Sequence, residues 1–191
     1  MNSKNYNAVV VGASAGGLFA LSAILGKLPE DYRLPVMIVQ HRSKNPGDLL
    51  EEVLQHKCRI KIKQADEKES IGSGTVYIAP PDYHLLVEAD KTFSLSSDEY
   101  VRFSRPSINV LFETAAMVFR DTLIGIILTG ANNDGAAGIS VIRKYGGLTI
   151  AQDPGEALFA AMPKASIETG TVEYTWTLSE IQNFLLKISH T

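Results

Sequence analysis

A serine set between glycines follows the first apolar run of this chain: Ala8-Val9-Val10-Val11 leads into Gly12-Ala13-Ser14-Ala15-Gly16-Gly17. Gly-x-Ser-x-Gly is the spacing of a nucleophile elbow, a tight turn that presents one hydroxyl between a strand and a helix. Gly12 and Gly16 clear the side chains that would crowd such a turn. The helix expected over about 17–27 aims unpaired N-terminal N–H groups back at the serine. A glycine-rich loop in a first βα unit equally suits a phosphate cradle, so the motif alone leaves both chemistries open.

Two further residues with catalytic chemistry stand in comparable places. His41, followed by Arg42, comes directly after the apolar run Pro35–Gln40, and Asp134 closes Thr129-Gly130-Ala131-Asn132-Asn133-Asp134-Gly135 after the most hydrophobic run, Leu123–Leu128. Taken singly, each has an ordinary explanation: Ser14 as a helix cap, His41 as a loop residue, Asp134 as a turn residue. Together they are a nucleophile, a general base and a carboxylate to orient the base. If the three loops converge, His41 is expected within about 3 Å of the Ser14 hydroxyl, with Asp134 on its other ring nitrogen. The order Ser, His, Asp differs from the Ser, acid, His order of α/β-hydrolases, so the elbow does not imply that fold. His56, His84 and His190 read as structural or solvent-exposed, although His84 follows Pro80-Pro81-Asp82-Tyr83 and is a candidate for the same cleft.

These residues need strands and helices to position them. The run over 7–11 is too short for a helix and lacks alternation, which predicts a central parallel strand. Further strands are expected at 35–40, 59–63 (an edge, with lysines outward), 75–79, 123–128 and 148–151. A hairpin is expected from 84–88 and 92–95 around Ala89-Asp90-Lys91. Helices are expected over 47–56, with Asp48, Glu51 and Glu52 in early turns; from Ser107 as N-cap to about 120; over 135–144, ended by Gly146-Gly147; and over 178–188. The alternation predicts one domain over residues 1–191, an α/β fold with a doubly wound, mostly parallel sheet and helices on both faces. Ligands in such sheets bind at the carboxyl ends of the strands, where Ser14, His41 and Asp134 all fall.

Composition narrows the function further. With 45% hydrophobic residues, 20% charged residues and a formal net charge of −3, the chain reads as an ordinary globular protein without the basic face that nucleic-acid binding needs. Cys58 stands alone, without a disulfide partner or a metal-ligand companion, as expected of a cytoplasmic protein. No apolar segment is long enough for a membrane span, and the N-terminus lacks a signal-peptide core. No metal or cofactor is called for.

Beyond these separate features, whole blocks of the sequence resemble one family. Gly12–Gly17, Val39-Gln40-His41, Tyr77–His84, Arg105–Phe112 and Leu128–Gly135 are similar, in order, to successive motifs of the CheB methylesterase domain, as are Ala151-Gln152-Asp153-Pro154 and Ala161-Met162-Pro163. The resemblance implies a protein-glutamate methylesterase of bacterial chemotaxis, which hydrolyses glutamate γ-methyl esters on chemoreceptor cytoplasmic helices and often deamidates receptor glutamines. It puts the family's serine, histidine and aspartate on Ser14, His41 and Asp134. Backbone N–H groups of Ala15 or Gly16 and of Ala131 are expected to face the oxyanion, with Arg42, Tyr83, His84 and Arg105 at the substrate rim.

The chain departs from the family pattern in three places. Ala15 stands where a threonine is common, and Ala131-Asn132 where Met-Gly is usual. Only residues 1–6 precede the first expected strand, so the family's N-terminal receiver domain is expected to be missing, with control left to a separate signalling protein or absent. Two other readings stay open: a triad hydrolase for a different ester or amide, and a non-catalytic receptor-binding module.

Overall fold

The structure is a computed structural model describing residues 5–42 and 49–189. Its strands are β1 (Ala8–Ala13), β2 (Val36–Gln40), β3 (Lys61–Gln64), β4 (Thr75–Ile78), β5 (His84–Val87), β6 (Phe93–Ser96), β7 (Leu123–Ile127), β8 (Leu148–Gln152) and β9 (Tyr174–Trp176). Its helices are α1 (Gly17–Leu25), α2 (Leu50–Gln55), α3 (Ile108–Phe119), α4 (Ala136–Lys144), α5 (Ala161–Glu168) and α6 (Leu178–Ile188). Seven strands form a parallel sheet in the order β3-β4-β2-β1-β7-β8-β9, and β5 and β6 pair as a separate antiparallel hairpin.

The sheet is buried on both faces because its strands are apolar on both faces. Along β1, Val9, Val11 and Ala13 pack with Leu21 and Ile24 of α1 and Ile181 and Leu185 of α6. Ala8 and Val10 point the other way, into a second core with Leu111 and Phe112 of α3 and Ile139 and Ile142 of α4. Full burial of each such Val, Leu or Ile side chain contributes roughly 1.5–3 kcal/mol. The doubly wound parallel fold is therefore as expected, with β3 at the edge and Lys61 exposed.

Three differences from expectation are local. β1 continues through Gly12 and Ala13, since both residues keep pairing with β2. α5 and β9 were not anticipated; Pro163 masks α5 although proline is tolerated in a first helical turn. β9 is three residues long, too short to show a period. Of the helix expected over 47–56, residues 47 and 48 (Asp48 included) lie outside the described residues, as does His190.

This topology positions the loops of interest. β2 lies on one side of β1 and β7 on the other, so the crossovers leave in opposite directions and the strand order reverses beside β1. Such a switch point opens a crevice at the carboxyl ends of the strands. Ser14, His41 and the loop 128–135 all emerge there, from three adjacent strands.

Candidate active site

Backbone pairing past the strand ends brings the first two residues level. The His41 N–H donates to the Ala13 carbonyl and the Ser14 N–H to the Thr129 carbonyl, each at 3.0 Å. The Gln40 amide then ties the two loops, its Nε2 donating to the carbonyls of Ser14 (2.8 Å) and His41 (2.9 Å). Gly16 turns the chain into α1 with φ 81°, a left-handed conformation that favours glycine. Gly17 is required for a different reason: a Cβ there would lie 1.8 Å from Gln40 Oε1. Thr129 Oγ1 donates to the Ala15 carbonyl at 2.9 Å, and the Thr129 N–H is held by Gln152 Oε1 at 2.8 Å.

His41 Nε2 and Asp134 Oδ2 are 2.9 Å apart. The Asp134 side chain is wholly buried, and its carboxylate accepts four more hydrogen bonds, from Ser107 Oγ (3.0 Å) and from the N–H groups of Ile108 (2.7 Å), Asn109 (3.1 Å) and Gly135 (3.0 Å). Burial alone pushes the carboxyl up, but the His41 bond and the Ile108 and Asn109 N–H groups outweigh it and hold Asp134 below the usual carboxylate value. The carboxylate thus caps α3 from another loop, where the helix dipole favours negative charge. Ser107 does occupy the N-cap position, yet it makes no capping bond with its own side chain; its hydroxyl donates to Asp134 instead. Asn109 Oδ1 accepts from the N–H groups of Gly135 (3.1 Å) and Gly138 (2.7 Å), fixing the loop that carries Asp134.

The opposite side of the imidazole differs from expectation. Nδ1 faces Asn132 Nδ2 at 3.3 Å, while the Ser14 hydroxyl makes no hydrogen bond among the described residues. Asn132 stands where glycine was usual, and its amide fills the space in front of Nδ1. Ser14 and His41 nevertheless line one open cleft, together with Leu18 and Phe19 of α1. Among the described residues, the N–H groups of Ala15, Gly16 and Ala131 donate no hydrogen bond; Ala15 and Gly16 line the cleft, and Ala131 does not.

The rim residues separate into three groups. Arg42 borders the cleft, with its guanidinium 2.6 Å from Glu51. Arg105 lines an adjoining lobe that also contains His41; it is held by Asp82 at 2.7 Å and stacks on Tyr100 at 4.5 Å. Tyr83 is exposed but lines neither lobe. His84 does not belong on the rim: it is 2% exposed, its Nε2 meets the Glu99 carbonyl and its Nδ1 accepts from the Ser107 N–H. Pairing within the hairpin and contact with α3 buried it, which the neighbouring prolines did not signal. Gln40, Thr129, Asn109 and Gln152 escaped sequence reasoning as positioning residues, although all four fall inside or beside the quoted motifs. Among the described residues no cluster of His, Cys, Asp and Glu could hold a metal ion, and no helix is long and apolar enough to cross a membrane.

A doubly wound parallel sheet with Ser14, His41 and Asp134 at its switch point defines an α/β protein with a candidate site at the carboxyl rim. Residues 9–185 match the family model described as CheB methylesterase, and the chain belongs to that family. A Leptospira interrogans relative is 51% identical over 96% of this chain and 95% of its own length. A Clostridium acetobutylicum protein-glutamate methylesterase/protein-glutamine glutaminase is 32% identical over 98% of this chain, which spans 54% of that protein. The crystal structure of the Thermotoga maritima CheB methylesterase catalytic domain is similar with a TM-score of 0.92 and 31% identity, covering 97% of this chain and 100% of that one.

Proposed function

We propose that this chain is a cytoplasmic protein-glutamate methylesterase acting on methylated chemoreceptor helices by a Ser14-His41-Asp134 triad, with receptor glutamines as amide substrates. The observation that carries the reading is the buried Asp134 carboxylate 2.9 Å from His41 Nε2, with Ser14 on the same rim. A carboxylate accepts at Nε2, so that nitrogen bears the proton and Nδ1 keeps the lone pair. The ring is used the other way round from the serine-protease template, in which Nδ1 faces the carboxylate.

Ser14 Oγ attacks the ester carbonyl carbon while its proton passes to His41 Nδ1, and Asp134 stabilises the imidazolium that results. The oxyanion meets free N–H groups of Ala15, Gly16 or Ala131; one such donor is worth roughly 3–4 kcal/mol in the transition state. His41 returns the proton to the leaving methoxide, releasing methanol. Water activated by His41 then cleaves the glutamyl-Ser14 ester, giving the glutamate carboxylate and restoring the serine. With a glutamine substrate the leaving group is ammonia.

The cleft is open and bordered by exposed apolar side chains, Leu18 (40% exposed) and Phe19 (73%). Leu158 packs directly against Gly16. An open apolar border suits a side chain presented by a rigid helix better than a free small molecule. The test is methanol release from membranes carrying methylated receptors, with a small aliphatic ester in parallel. Release from receptors that is lost in Ser14→Ala supports the reading. Turnover of the small ester alone, or receptor binding without release, refutes it.

A further inference from the structure

Asn132 occupies the one direction from which His41 must receive a proton. Its amide orientation is fixed from both ends. Asn132 Oδ1 accepts from the Asp134 N–H at 3.1 Å, and a backbone N–H can only donate, so the oxygen lies at that end. The NH2 end therefore faces His41 Nδ1 at 3.3 Å. Asp134 takes the proton at Nε2, which leaves Nδ1 as an acceptor for the Asn132 amide. The imidazole is thus held between an acceptor and a donor that agree on a single neutral tautomer.

We propose that Asn132 is a latch on the general base: it fixes the resting tautomer of His41 and occupies the Nδ1 lone pair until substrate engages Ser14. The inference rests on the esterase reading of this site. In the resting state the Ser14 hydroxyl makes no hydrogen bond among the described residues, as a latched base requires. Once His41 is protonated at Nδ1, that N–H and the Asn132 N–H group are two donors facing each other. The amide must then leave, so its interaction is stronger in the free enzyme than in the transition state. An interaction of that kind lowers kcat/KM. Asn132 is accordingly a positioning residue that trades activity for a defined resting state, and a chain with glycine here has no such latch.

Two substitutions separate the latch from the turn that carries it. In Asn132→Ser the shorter hydroxyl still accepts from the N–H two residues on, as such side chains do in turns, but no longer reaches His41. In Asn132→Asp the turn bond is also kept, but an acceptor replaces the donor at Nδ1. The serine variant is expected to raise kcat/KM for methanol release by about 3- to 10-fold, the factor that one neutral hydrogen bond controls. Its His41 Nδ1 resonance in ¹⁵N spectra is expected to move downfield, as a nitrogen lone pair does on losing a donor. The aspartate variant is expected to lower kcat/KM about tenfold or more, because an acceptor recruits a proton to Nδ1 and removes the base. An unmoved Nδ1 resonance in Asn132→Ser overturns the latch, as does a kcat/KM that is unchanged or lower. A fall of about 10²–10³ would instead make the amide an oxyanion donor. If the parent protein releases no methanol while the resonance moves as expected, the esterase reading fails and the latch geometry stands.

Discussion

Replacing Asp134 by Asn keeps the shape of the side chain and removes its charge, so it probes the orientation of His41 and the start of α3 together. The five donors around the carboxylate divide unevenly: Ser107, Asn109 and Gly135 converge on Oδ1, and His41 and Ile108 on Oδ2. The asparagine oxygen serves best where three donors meet, which turns its NH2 group toward His41 and the Ile108 N–H. That N–H, previously bonded at 2.7 Å, is then buried without an acceptor, at a cost of about 1–3 kcal/mol. Loss of negative charge at the N-terminus of α3 adds about 0.3–1 kcal/mol. A total of about 1–4 kcal/mol corresponds to a melting temperature lowered by about 3–16 °C for a chain of this size. The catalytic effect is larger. An NH2 group opposite Nε2 forces the lone pair to that side and the proton to Nδ1, so the base no longer faces Ser14. In serine proteases the equivalent change costs about 10⁴ in kcat, and a loss of about 10³–10⁴ is expected here. Calorimetry and methanol release measure the two consequences separately. An unchanged melting temperature would refute the capping account. A kcat within tenfold of the parent's would refute the role given to the His41 tautomer, whatever the stability.

Three further outcomes are expected. Ser14→Ala and His41→Ala should each remove nearly all turnover, and the double variant should lose little more, because residues that act as a unit are strongly non-additive; multiplying losses in single-turnover assays would show that they act apart. The folded-state value of Asp134 lies below its ordinary 3.8, so its ionised form contributes stability that is fully present above that pH and lost as pH falls through the folded value. Melts taken from neutral pH down to about pH 2 should therefore fall more steeply in the parent than in Asp134→Asn, and parallel curves would contradict the sign. Gly17→Ala should displace Gln40, whose Oε1 sits 1.8 Å from the new methyl, and so loosen the carbonyls of Ser14 and His41. A stability loss of about 1–3 kcal/mol by denaturant titration, with a larger fall in kcat than rise in KM, is the expected pattern.

What the sequence revealed and what it hid follow from the range of the forces involved. The central strands were legible because Val9-Val10-Val11 and Ile124 to Leu128 are apolar on both faces, and only burial on both sides explains that composition. Once those strands are parallel and adjacent, the residues just past their ends must meet, which is why Ser14, His41 and Asp134 could be named together from three distant stretches of chain. Hydrogen bonds with no periodic signature stayed hidden. Nothing near Ser107 shows that Asp134, 27 residues away, supplies the cap to α3, or that His84 is enclosed by the Glu99 carbonyl and the Ser107 N–H.

The same distinction explains Asn132. A residue-type pattern identifies which groups can exchange a proton, but not which donor holds the receiving lone pair when no substrate is present. That depends on an amide fixed at one end by the Asp134 N–H, two residues along the same loop. Because the Asp134 carboxylate caps α3 while its N–H orients Asn132, one residue sets both ends of the imidazole: the proton at Nε2 directly and the occupied lone pair at Nδ1 through its neighbour. The loop after β7 therefore couples the integrity of the fold to the protonation pattern of the base. Substitutions that loosen it, at Asn109 or Gly135 for example, must disturb activity and stability in the same direction, whereas Asn132→Ser must separate them.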